Sequence, residues 1–123
     1  MKIAFDFGGV LCETPEYREL AKILLAAGVE VHLITIAWPH EGRAEFVAGI
    51  GIPFTGVHII LEDTKINHGE EKVRVMKKIG CNILIDDSVN VINAVRAAGM
   101  IGMQSYCPYF PGHNNKKIVE TVV

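Results

Sequence analysis

Short apolar runs and longer amphipathic stretches alternate along the chain. Ile3 to Phe5 is a brief apolar run that stops at a turn signal, the pattern of a buried strand. A polar loop from Cys12 to Pro15 follows, with Pro15 suited to a helix's first turn and Thr14 to its cap. Glu16 to Ala27 places Leu20, Ile23, Leu24 and Ala27 at helical spacing and ends at Gly28. Glu30 to Ile36 is apolar on both faces, which predicts a strand buried beneath helices. After a loop from Ala37 to His40, Glu41 to Ala48 predicts a short helix, broken by the Gly- and Pro-containing run 49–53. Val57 to Leu61 predicts a third strand, and Glu62 to Gly69 a polar connection. Glu70 to Ile79 predicts a helix with Val73, Met76 and Ile79 inward, stopped by Gly80. Asn82 to Ile85 reads as a fourth strand, Val89 to Ala98 as a helix closed by Gly99, and Met100 to Gln104 as a fifth strand. Tyr106 to His113 reads as a loop, and Asn115 to Val122 as a last helix or strand.

Strands that alternate with helices argue for an α/β fold with a parallel sheet and right-handed crossovers. The expectation is a three-layer α/β/α Rossmann-like domain with a five-stranded sheet. No repeat, linker or low-complexity tract divides the chain, so one domain over residues 1–123 is expected. The 123 residues are 50% hydrophobic and 21% charged, a composition that supports a real core. A formal net charge of -2 argues against a dedicated nucleic-acid binder. The three cysteines, Cys12, Cys81 and Cys107, are odd in number and show no CxxC spacing. They suggest neither a disulfide framework nor a zinc site, and a reducing cytoplasm is the simplest compartment. No signal-peptide pattern opens the sequence, and no apolar segment is long enough to span a membrane.

Ligands of open parallel sheets bind beyond the carboxyl ends of the strands. Three predicted strands end there in polar residues suited to phosphate chemistry: the first in Asp6, the second in Thr35, the fourth in Asp86 and Asp87. Lys72 opens the helix that precedes the fourth strand. Each has a plainer use as well. Asp6 suits a turn, Thr35 suits a strand, Lys72 suits a solvated helix face, and Asp87 suits a helix cap. Asp86 is harder to explain away, because adjacent carboxylates repel unless a cation or hydrogen-bond donors compensate them. Gly8 and Gly9 let the backbone turn sharply after Asp6 and approach a ligand closely.

These segments resemble the haloacid dehalogenase (HAD-like) superfamily, whose members are mostly magnesium-dependent phosphatases. The first motif is matched by Phe5-Asp6-Phe7-Gly8-Gly9-Val10-Leu11 and the second by Val31-His32-Leu33-Ile34-Thr35. The third, a lysine, is matched by Lys72, with Lys65 as the weaker alternative. The fourth is matched by Ile83-Leu84-Ile85-Asp86-Asp87-Ser88. The resemblance implies strand order 5-4-1-2-3 and Asp6 as the nucleophile of an aspartyl-phosphate mechanism. It implies a magnesium ion (Mg2+) held by Asp6, the Gly8 carbonyl and Asp87, with Asp86 orienting the shell. It further implies that Thr35, the backbone N–H groups after it from Ile36 on, and Lys72 bind the phosphoryl group. The substrate implied is a phosphorylated small molecule, a nucleotide or a larger phosphoester.

Two departures from the family's pattern matter. Its usual acid/base is an Asp two residues after the nucleophile, where this chain has Gly8. Losing a general acid typically costs about 10²–10⁴-fold in rate. Some phosphatase-like branches carry glycine there; otherwise Glu13, Glu16 or His40 is the replacement to consider. The alternative is a phosphate-binding or regulatory module with little turnover. The second departure is size. Neither 11–29 nor 35–72 leaves room for a cap domain, and uncapped relatives have open sites reached by large substrates or covered by another subunit of a homo-oligomer. A two-component receiver domain fits less well, since its paired carboxylates follow the first strand. The five histidines show no ligand spacing. Trp38 suits either ring stacking or packing, and Tyr106, Tyr109 and Phe110 suit core, rim or subunit contact.

Overall fold

The computed structural model describes residues 1–105. The expectations for 106–113 and 115–122 lie outside the described residues. Five strands, β1 (Lys2–Phe5), β2 (Glu30–Ala37), β3 (Gly56–Leu61), β4 (Ile83–Asp86) and β5 (Ile101–Gln104), form one sheet. Its order is β3-β2-β1-β4-β5 and every pairing is parallel, as expected. Helices α1 (Pro15–Ala26), α2 (Arg43–Gly49), α3 (His68–Ile79) and α4 (Val89–Ala97) supply the crossovers. Among the described residues no cap domain interrupts them.

Successive residues of a strand face opposite sides of the sheet, and the core divides accordingly. On one side Phe5, Val31, Leu33 and Ile85 pack with Ala21 of α1 and Val47 of α2. On the other, Ala4, Ile34 and Leu84 pack with Val75 and Met76 of α3 and Val91 and Val95 of α4. Central β1 is thus buried on both faces, and its carboxyl end lies beside the end of β4, while β2 runs on from Leu33 to Ala37.

Local chemistry corrects several expectations. The inward face of α1 is Tyr17, Ala21, Leu24 and Leu25, whereas Leu20 is 37% and Ile23 63% exposed. Charged Glu16, Glu19 and Lys22 mark the outer side of this helix, and Ile23 falls among them at helical spacing. Small Ala21, fully buried, is where the helix lies close on the sheet. Thr14 holds the cap position of α1, but its buried hydroxyl makes no hydrogen bond among the described residues. The single helix expected from Glu41 to Ala48 is instead a 3-10 turn over Pro39–Glu41, a left-handed Gly42 (φ 65°), then α2. Helix α3 starts earlier than expected because the Asn67 side chain accepts from Glu70 N–H at 3.0 Å. Its inward face is built from Gly69, Lys72, Val75 and Met76, with Val73 and Ile79 only partly buried.

Candidate functional site

Asp6 is the first residue past β1, and its N–H donates to Ile85 O of β4 at 2.9 Å. That bond fixes Asp6 beside the end of β4, where Asp86 and Asp87 follow. The chain then turns through Gly8 (φ −65°, ψ 132°) and Gly9 (φ 75°, ψ −5°). Gly9 is needed twice over. Its φ favours glycine, and a Cβ there would lie 2.2 Å from Asp87 Oδ2. Gly8 has an ordinary extended backbone, and a Cβ there would meet nothing within 4 Å.

Helix α3 brings in the cation. Lys72 is 4% exposed, and its Nζ lies 2.6 Å from Asp86 Oδ2 and 2.9 Å from Asp6 Oδ1. Asp86 Oδ1 also accepts from Ser88 N–H at 2.9 Å. Ser88 caps α4, its side chain accepting from Val91 N–H. The cap that Asp87 was suited to is therefore filled by its neighbour, and Asp87 faces the site.

Asp6, Asp86 and Asp87 are all buried, and one oxygen from each lies within 4.8 Å of the others. Lys72 pairs with two of these three carboxylates, Asp6 and Asp86. Burial pushes the Asp6 carboxyl well above its ordinary range; Asp86 and Asp87 push the same way, and Lys72 opposes them. Burial also disfavours the Lys72 ammonium, but Asp6 and Asp86 together outweigh it and hold the lysine charged. Such a cluster fits a bound cation. Its donors are all carboxylate oxygens, the set a hard divalent ion prefers, and the excess negative charge is what such an ion would relieve. Asp6, Asp86 and Asp87 could hold it.

The cluster forms the floor of a cavity of about 350 Å³. Gly8, Gly9 and Ile36 line it beside the charged floor, together with Glu13, Arg43, His68 and Ser88. Of the two candidate lysines, Lys72 is in the site, while Lys65 is exposed in a loop held by Asp63. Thr35 is fully buried and does not line the cavity; its Oγ1 accepts from Arg43 Nη1 at 2.6 Å. Among the candidate proton donors, Glu13 reaches the cavity and accepts from Gly9 N–H, whereas Glu16 and His40 are exposed and do not line it.

Sequence reasoning missed Arg43 and undervalued His68. His68 is one helical turn before Lys72 on the same face of α3, and its Nε2 is paired with Glu62. That spacing was visible in the sequence. Arg43 carried no such sign. Trp38, partly exposed, stacks on His40 and lies outside the cavity. Among the described residues no helix is long and apolar enough to cross a membrane. Comparison with known proteins finds no matching family model and no matching curated relative.

Proposed function

We propose that the protein is a HAD-like, magnesium-dependent phosphohydrolase that works through an aspartyl-phosphate on Asp6. One observation carries this reading: Asp6, Asp86 and Asp87 converge with Lys72 on the floor of an open cavity at the carboxyl ends of the central strands. Bound magnesium would supply charge neutralisation for the carboxylates and the phosphoryl oxygens. Lys72 holds Asp6 Oδ1, which leaves Oδ2 to attack phosphorus. The bond from phosphorus to the ester oxygen breaks as the new one forms; an aryl leaving group departs as the anion, and an alkyl one takes its proton from water or from Glu13 or His68 in the acid form. Water then attacks the acyl phosphate, freeing inorganic phosphate and the Asp6 carboxylate. The chain's work is chiefly positioning and charge compensation.

Gly8 favours a second reading, a module that binds phosphoesters with little turnover. No side chain at that position protonates the leaving group, so Glu13 or His68 must act if alkyl esters are cleaved. The free thiols of Cys12 and Cys81 fit a reducing cytoplasm. A screen of phosphorylated metabolites, nucleotides and a phosphopeptide, each with magnesium and with a chelator, tests the proposal. Release of phosphate with magnesium alone supports it. Binding of these compounds without release supports the module, and neither binding nor release sinks both.

A further inference from the structure

Arg43 opens α2 just after the left-handed Gly42, and its side chain turns back toward the strand ends. Three contacts hold it there. Nη1 donates to Thr35 Oγ1 at 2.6 Å, Nη2 donates to Glu41 Oε2 at 2.9 Å, and the guanidinium carbon lies 5.4 Å from the centroid of the Phe7 ring. Phe7 follows Asp6 directly, and Thr35 belongs to the neighbouring strand. The guanidinium is therefore tied to the turn that follows Asp6 and to β2 beside β1, and it lines the same cavity as Asp6.

The other strong cation of that cavity, Lys72, is engaged by two carboxylates. Arg43's carboxylate partner, Glu41, does not line the cavity. A guanidinium presents its N–H donors in a planar fork, and among the described residues two of them are engaged here. Thr35, by contrast, is fully buried and has its oxygen committed to Arg43.

We propose that Arg43 binds the oxygens of a tetrahedral oxyanion, the phosphoryl group of the ligand, and that Thr35 acts through Arg43 as a positioning residue. The inference rests on the phosphohydrolase reading only for the identity of that anion. A planar fork suits bidentate recognition of phosphate, and a side chain already fixed at three points loses little freedom on binding.

The probe is inorganic phosphate in the presence of magnesium, titrated calorimetrically into the whole protein. Arg43→Met should weaken binding about ten- to a hundredfold, the worth of a charge-assisted hydrogen bond or more. Arg43→Lys should lose part of this, keeping charge without the fork. Thr35→Ser should bind like wild type, and Thr35→Val should bind less well. The double variant Arg43→Met/Thr35→Val should be no weaker than Arg43→Met alone, because Thr35 has nothing left to position. Wild-type affinity in Arg43→Met overturns the proposal, as do additive losses in the double variant or no phosphate binding by wild type. If Arg43→Met does not fold, undiminished binding by Arg43→Lys is the contradicting result. Arg43-dependent phosphate binding without any turnover would sink the phosphohydrolase and leave this inference standing. Turnover with phosphate binding indifferent to Arg43 would do the reverse.

Discussion

At the carboxyl ends of β1 and β4, one lysine pairs with two of three clustered carboxylates; near the amino ends of β2 and β3, two imidazoles pair with each other and one of them with a glutamate. His32 Nδ1 lies 3.2 Å from His58 Nε2, and His32 Nε2 lies 3.4 Å from Glu30 Oε1. Their rings stack with centroids 5.4 Å apart, and Gly56 leaves space for them, since a Cβ there would sit 2.7 Å from His32 Nδ1. Both clusters put ionisable groups into the sheet, but they solve the burial problem differently. A neutral imidazole pair satisfies itself by choosing tautomers, one nitrogen donating and the other accepting. Three carboxylates have no such choice. Their repulsion stays in the fold and faces a cavity, where a bound cation could relieve it. Polar groups at the amino end are satisfied by one another, whereas at the carboxyl end they line a cavity that could hold a cation.

Breaking each cluster should separate them most clearly. Lys72→Met leaves Asp6 and Asp86 buried without their cation and should cost about 3–5 kcal/mol in urea unfolding without metal. His58→Gln, which keeps a hydrogen-bonding side chain on a half-buried strand, should cost under about 1 kcal/mol. Equal losses would erase the distinction. Magnesium should raise the Tm of wild type and of His58→Gln alike, and should raise that of Asp87→Asn less.

The two glycines of the turn sharpen the carboxyl-end side. Gly8→Asp has an ordinary backbone and open space to enter, so it should fold and should raise alkyl-phosphate turnover by about 10²-fold. Aryl phosphates, which leave without much protonation, should gain far less. Equal wild-type rates on both esters would show that a proton donor is already in place, and Glu13→Gln and His68→Gln would then identify it. Gly9→Ala combines a left-handed backbone with a clash on Asp87. It should cost about 1–3 kcal/mol, whereas Gly8→Ala should be neutral within about 0.5 kcal/mol.

The same contrast shows what the sequence could and could not reveal. The strands and the placing of Asp6, Asp86 and Asp87 at their carboxyl ends were legible because short apolar runs end in carboxylates, whereas the strand order came from the family resemblance. Lys72 was legible as a helix residue before the fourth strand. Arg43 was not, because its place depends on a hydroxyl eight residues earlier and on the left-handed turn at Gly42. The face of α1 was misjudged because Leu20 and Ile23 were weighed as apolar residues without the charged Glu16, Glu19 and Lys22 around them, which mark the outer side. Ser88 rather than Asp87 caps α4, a choice between adjacent residues that only the backbone geometry makes.

The smallest expected effect is in pH dependence, where the clusters have opposite sign. Burial, with His32 and Lys78 adding to it, lowers the pKa of His58. Below about 6.5 the unfolded chain therefore takes up a proton that folded His58 accepts only at lower pH, and stability falls with falling pH. The Asp6 carboxyl is raised, so the folded chain holds its proton above the ordinary carboxyl range and the unfolded chain does not. Rising pH through that window therefore costs the metal-free fold stability. Urea unfolding in chelator from about pH 4 to 8 should show His58→Gln flattening the first slope and Asp6→Asn the second. The comparison fails if either variant flattens the other's slope.

The central claim is that the carboxyl-end cluster is a phosphoryl-transfer site with Asp6 as nucleophile. Its most direct test is an acid quench during hydrolysis of a radiolabelled aryl phosphate labelled in the phosphoryl group, comparing wild type with Asp6→Asn, each with magnesium and with chelator. The expected result is phosphate covalently attached to wild type at Asp6 in magnesium only, and none on a folded Asp6→Asn protein, whose turnover should fall by about 10³-fold or more. Hydrolysis by Asp6→Asn at the wild-type rate, or label retained on a residue other than Asp6, would contradict it.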